Sequence, residues 1–138
     1  MKDTYVFDAC ALIALLSKET GYEKTEELLN LAKAQQAKIM MHAINFYEVY
    51  YHICKLYDED SALKFLDKME NSPVELNREI TRELMITAGT LKRKYKMSVA
   101  DSIGLAQSVI SNASFVTADH HELDAVAQNE TIGFTWIR

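Results

Sequence analysis

The chain has 138 residues, the size of one ordinary domain, of which 49% are apolar and 25% charged. A net charge of −5 excludes a domain that coats nucleic acid through a broad basic surface, but not an enzyme that admits nucleic acid to one site. Two cysteines without CxxC or zinc spacing argue against a disulfide scaffold or zinc module and read as buried free thiols.

In chain order, the start leads into Tyr5-Val6-Phe7, a short strand-like run. Ala9 to Leu16 reads as a buried helix, with Asp8 as its N-cap. Glu23 to Ala37 carries a helical stripe through Leu28, Leu31 and Ala32, and Lys38 to Met41 looks like a second strand. Helical spacing returns over Ala43 to Tyr57 and again over Asp60 to Met69, where Asn71-Ser72-Pro73 breaks it. Val74 to Leu76 is a third strand. Helices are expected over Arg78 to Tyr95 and Ser98 to Ser111, a strand over Ser114 to Thr117, and a short helix or turn over Asp119 to Gln128. Phe134 to Ile137 makes the last strand. Strands alternating with helices imply βαβ units, hence a mainly parallel sheet of four or five strands covered on both faces. With no linker or repeat in evidence, residues 1–138 are expected to form a single domain. No signal peptide or membrane span is visible, so a soluble cytoplasmic protein is expected.

The acids carry the chemistry. Asp8 directly follows the first strand and Asp119 closely follows the fourth, so a parallel sheet puts both on the edge where ligand crevices form. Asp101 opens the preceding helix and Glu48 follows the second strand, so both can join them. Carboxylates about 4 Å apart repel by about 4 kcal/mol at an effective dielectric near 20. A hard divalent cation with oxygen ligands would relieve that repulsion, and such a site suits phosphodiester hydrolysis. Each acid has a plainer reading. Asp8 fits an N-cap, Ser98 to Asp101 fits a capping box, Asp119 to Glu122 fits a looser one, and Glu48 alone fits a solvated helix residue. The residues by themselves leave both readings open.

Four segments resemble, in order, the motifs of PIN-domain nucleases, and in particular the VapC-type toxins of toxin–antitoxin pairs. They are Val6 to Leu16, Ile44 to Tyr51, Met97 to Ser102 and Phe115 to Asp119. The resemblance covers essentially the whole chain. It implies a three-layer α/β/α sandwich and a metal-dependent endoribonuclease. Asp8, Glu48, Asp101 and Asp119 would bind Mg²⁺ or Mn²⁺, with Thr117 and Ser102 in support. It also implies an RNA substrate, a homodimer and a small antitoxin partner that blocks the site. Cys10 departs from the family's usual Ser or Thr, and His42 from a small hydroxyl residue.

Other residues invite weighing. Lys92 and Lys94, in the basic run before Asp101, are candidate RNA contacts or simply cations at a helix C-terminus. His120 and His121 are adjacent and so make a poor metal pair; they read as surface or RNA-contacting residues. His42 reads as a cap or surface residue, and Asp124 is a nearby acid with no assigned role. The tyrosines at 47, 50 and 51 read as core or dimer packing rather than base stacking. The rival classes are a catalytically silent PIN-fold scaffold and a Mg²⁺-binding receiver-like signalling module. The latter wants paired acids after its first strand and a Lys after its last, which this chain does not supply.

Overall fold

The computed structural model of the protein describes residues 2–138. Five strands form one sheet: β1 (Asp3–Phe7), β2 (Ala37–His42), β3 (Val74–Asn77), β4 (Ser114–Thr117) and β5 (Phe134–Trp136). Their order is β3-β2-β1-β4-β5, and every pairing is parallel. Seven helices link them: α1 (Ala9–Ser17), α2 (Tyr22–Lys33), α3 (Ala43–Leu56), α4 (Glu59–Glu70), α5 (Arg82–Lys94), α6 (Val99–Ile110) and α7 (His120–Asn129).

Side chains of a strand alternate between faces, and here each face meets its own helices. Phe7, Ile39, Met41 and Val116 pack with Leu12, Leu28, Val49 and Phe65, from α1 to α4. Val6 and Phe115 pack on the opposite face with Leu91, Leu105, Leu123 and Val126, from α5 to α7. Burial on both faces explains why the strands read as continuous apolar runs. The result is the three-layer sandwich that the alternating pattern implied, with a fifth strand settling the count.

Two expected helices were too long. The helical stripe after Glu23 ends at Lys33, because Gln35 turns the chain at φ 60° and Ala37 already pairs in β2. The turn closes through Gln36 N–H donating to the Leu31 carbonyl at 2.8 Å, which good helix formers such as Ala and Gln do not announce. The other begins at Arg82 rather than Arg78. Thr81 caps it, while Asn77 accepts from the Glu79 N–H and the Glu79 carbonyl is bonded to buried His42. Tertiary bonding thus overrides helical propensity over Arg78 to Ile80.

The chain order reverses between β1 and β4, which opens a crevice at their C-terminal ends. The sheet stays closed beneath it: Tyr5, Val6 and Phe7 pair with Ser114, Phe115 and Val116, and Asp8 N–H reaches the Val116 carbonyl at 3.2 Å. α6 crosses against the sheet at Gly104. A Cβ there would lie 2.9 Å from the Phe115 ring and 3.1 Å from Asn45 Oδ1. We therefore expect Gly104→Ala to destabilise the fold by about 1–2 kcal/mol through overpacking. Gly89→Ala, on an open face of α5 with nothing within 4 Å, should instead stabilise by up to about 1 kcal/mol from propensity alone. Urea unfolding of both variants tests this, and equal effects would refute the close approach of α6 to β4.

Candidate active site

Asp8 caps α1 with one oxygen: Oδ1 accepts from the Ala11 N–H at 3.0 Å. Asp119 caps α7 in the same way, accepting from the Glu122 N–H at 3.2 Å. Ser98 caps α6 by accepting from the Asp101 N–H at 3.0 Å. The capping reading and the site reading are therefore compatible. A cap uses one carboxylate oxygen and fixes the direction of the other. It also turns the positive ends of three helices toward the same place.

That place is a cavity of about 600 Å³ whose walls include Asp8, Glu48, Asp101, Asp119 and Glu122. All four acids expected from the sequence line it. Asp101, Asp119 and Glu122 each offer a carboxylate oxygen within 4.8 Å of the others. Glu122 was missed as a site residue. Its signal was the spacing, since the third residue after Asp119 is the first-turn neighbour whose N–H the cap holds, but that spacing was read as capping alone. Asn45 was missed too. It is fully buried, donates to the Ala100 carbonyl at 3.1 Å and lies beside Glu48, so it ties α3 to the start of α6.

The electrostatics are strained. Burial pushes Asp8 up to about 7, only partly offset by the Thr117 hydroxyl and the Ala11 N–H, while Asp119 and Glu48 add repulsion. Burial likewise raises Asp101 to about 8, helped by a hydrogen bond to Glu122 and by the negative charge of Asp8, Glu122 and Asp119. Glu48 is raised by burial, against the Asn45 amide. Asp8 is 1% exposed, and its Oδ2 has no well-formed hydrogen bond. An acid so placed is costly unless a cation meets it. All the donors are hard oxygens, the set that Mg²⁺ or Mn²⁺ prefers. Cys10 lines the same cavity, and burial followed by the surrounding acids pushes its thiol far up, so it faces them as a neutral thiol.

The supporting residues divide. The Thr117 hydroxyl accepts from the Asp119 N–H at 3.0 Å and lies against Asp8, linking the ends of β1 and β4. Ser102 instead donates to the Val99 carbonyl at 2.6 Å, within its own helix. Lys92 and Lys94 do not line the cavity. Lys92 Nζ donates to the Met97 carbonyl at 2.8 Å and Lys94 pairs with Glu130 at 3.4 Å. The cation in the cavity wall is Lys55, on α3. His42 is a buried cap, not a surface residue: Nδ1 accepts from the Ile44 N–H and Nε2 bonds the Glu79 carbonyl. His120 is a strut, held by Asp124 at 2.7 Å and the Arg138 carbonyl at 2.7 Å and stacked on Trp136. His121 is exposed on the same helix.

A pH dependence follows from the raised acids. The folded protein keeps protons on Asp8 and Asp101 that the unfolded chain releases near its ordinary carboxylate pKa, so the stability they confer is complete at low pH and lost as pH climbs toward about 7–8. In EDTA the thermal midpoint should fall between about pH 5 and about pH 8. Mg²⁺ or Mn²⁺ should raise it more at the higher pH, and Asp8→Asn should flatten the trend. A midpoint that rises with pH in EDTA, or is indifferent to cations throughout, would contradict the crowding.

Comparison with known proteins agrees with this fold. The profile of the PIN domain family matches residues 5–129. No curated protein matches the chain. Among solved structures, a toxin–antitoxin complex from Klebsiella pneumoniae aligns at 19% identity and a TM-score of 0.68, covering 97% of this chain and 98% of that one. DNA-bound VapBC from Salmonella typhimurium aligns at 13% identity and 0.73, with 100% of both chains covered. A sarcin–ricin loop cleaving VapC toxin from Mycobacterium tuberculosis aligns at 12% identity and 0.66, covering 91% of this chain and 95% of that one. At such identities these likenesses concern the fold.

Proposed function

Since the chain belongs to the PIN domain family, we propose that it is a Mg²⁺- or Mn²⁺-dependent endoribonuclease and the toxin of a toxin–antitoxin pair. The observation that carries this reading is the buried, unpartnered Oδ2 of Asp8 in a cavity whose wall holds four further carboxylates. Asp8, Glu48, Asp101, Asp119 and Glu122 would hold the metal. A divalent ion there would supply charge for the phosphate oxygens and acidify a water near the scissile phosphorus.

The chain's own residues do the rest. The Ala11 and Glu122 N–H groups fix the carboxylates of Asp8 and Asp119, so the ligand oxygens are set before substrate arrives. Asn45 ties α3 to the start of α6, which holds the helices that carry Glu48 and Asp101 against each other. The N-termini of α1, α6 and α7 add partial positive charge where a phosphate would lie. No side-chain nucleophile is required, and Cys10, kept as a neutral thiol, is unsuited to be one.

The antitoxin part of the reading is supported by the solved toxin–antitoxin complexes to which the fold is similar. It is also supported by charge, since a cationic side chain of an inhibitor would complement the acid-lined cavity of a chain with net charge −5. A homodimer and a cytoplasmic location belong to the same proposal. Among the described residues, no helix is long and apolar enough to cross a membrane.

Purified protein incubated with total cellular RNA should cut it with Mg²⁺ or Mn²⁺ and not with EDTA. Asp101→Asn and Asp8→Asn should each reduce cleavage by more than about 100-fold, beyond the usual cost of losing an outer partner of a metal site. Glu122→Gln should also reduce it, in step with weaker metal binding. Metal-dependent cleavage that survives Asp101→Asn would sink the assignment. Expression of the protein alone should arrest growth, and harmless expression of an active nuclease would remove the toxin role.

A further inference from the structure

β5 is only three residues long, but residues 134–138 join three parts of the fold. The Ile137 N–H donates to the Thr117 carbonyl at 3.1 Å, at the end of β4. Arg138 Nη1 donates to the Thr20 carbonyl at 2.7 Å and its Nη2 meets Glu19 at 3.5 Å, both in the turn between α1 and α2. Gly21 completes that turn at φ 94°, and a Cβ there would fall on the Ile137 carbonyl. The third part is the start of α7. His120 Nδ1 bonds Asp124 and its Nε2 bonds the Arg138 main-chain oxygen, each at 2.7 Å. The His120 ring stacks on Trp136, with centroids 4.0 Å apart and planes inclined by 14°. Trp136 stacks in turn on Phe134 at 5.2 Å, and Phe134 meets buried Phe115 edge-on at 5.9 Å. A column of aromatic rings therefore runs from the core of β4 to the first residue of α7, next to Asp119 in the chain.

We infer that His120 and Trp136 are positioning residues for the metal site: they hold the first turn of α7 in place, and with it the carboxylates of Asp119 and Glu122. This rests on the metal-dependent reading of the cavity and adds to it the residues that set two of its ligands. Asp119 and Glu122 both belong to that first turn, and helix ends fray unless held. The cap cannot hold it alone, because the bond from the Glu122 N–H to Asp119 lies inside the turn and moves with it. Burial anchors α7 only from Leu123 onward, through Leu123 and Val126. The Thr117 hydroxyl fixes the Asp119 N–H, which precedes the helix, whereas His120 fixes the helix itself. A ring stacked on an indole and bonded at both nitrogens is fixed in tilt and in rotation together, which one bond does not achieve. Neither His120 nor Trp136 lines the cavity, so both act through Asp119 and Glu122. Through Arg138 the same strut reaches the far end of α1, the helix that Asp8 caps.

The test reads the metal before it reads cleavage. Mn²⁺ binding is followed by electron paramagnetic resonance of the free ion, beside the thermal midpoint in EDTA. His120→Ala and Trp136→Leu should each weaken Mn²⁺ binding by about 10-fold or more, the usual cost of losing an outer support of a metal ligand. His120 is exposed, so its alanine variant should fold. Trp136→Phe, which keeps a ring in the stack, should retain most of the affinity. Phe65→Leu, in the core of the opposite face and outside the cavity, is the control that lowers the midpoint without touching the strut. On RNA, kcat of His120→Ala should fall at low Mn²⁺ and recover as Mn²⁺ is raised, with KM for RNA unchanged. Wild-type Mn²⁺ affinity in both His120→Ala and Trp136→Leu would overturn the inference. So would an equal loss of affinity in Phe65→Leu, which would make the strut a source of stability and nothing more. The two readings fail separately. A protein that binds Mn²⁺ through this strut yet cuts no RNA loses the nuclease and keeps the strut. One that cuts RNA with Mn²⁺, at unchanged affinity in both variants, loses the strut alone.

Discussion

Five carboxylates share one cavity at the point where the sheet's order reverses, and burial there, with repulsion added to it, raises Asp8, Glu48 and Asp101. Asp8 is the most demanding. It is enclosed, its second oxygen is unpartnered, and its pKa of about 7 measures how strongly the site resists its charge. Three devices make the crowding tolerable: the Ala11 and Glu122 N–H groups donate to individual oxygens of Asp8 and Asp119, the helix N-termini lend partial positive charge, and Asp101 is hydrogen-bonded to Glu122. None of these neutralises the whole set. A divalent cation does what they cannot, and the same charge is what phosphodiester chemistry needs. The strain and the function thus have one source.

Position comes from the backbone more than from the side chains. Asp8 and Asp119 share an edge because β1 and β4 are parallel neighbours, paired from Tyr5–Ser114 to Phe7–Val116. Asp101 reaches that edge because α6 starts above it, and α6 lies close because Gly104 lets it approach Phe115 and Asn45. Asn45 in turn binds the Ala100 carbonyl, so the helix that carries Glu48 and the helix that carries Asp101 cannot slide independently. A change in packing at any of these points would be felt as a change in ligand geometry, since a displacement of about 1 Å at a reacting centre can cost about 100-fold in rate.

Much of this was legible in the sequence because it is written in short-range patterns. Strand runs followed at once or closely by an acid mark Asp8 and Asp119, and capping spacing marks Ser98 and Asp101. What was not legible depends on long-range contacts. Glu122 carries the same local signature whether it is only a cap neighbour or also faces four acids. Lys92 and Lys94 stand close to Asp101 in sequence, but Met97 and Glu130 hold their ammonium groups outside the cavity, and Lys55 from a different helix stands there instead. His42 looks polar enough for the surface, yet it is buried because a backbone N–H and a carbonyl satisfy both ring nitrogens. Periodicity showed an aromatic stripe on α3 without showing that the core takes Tyr50 and leaves Tyr47 and Tyr51 outside.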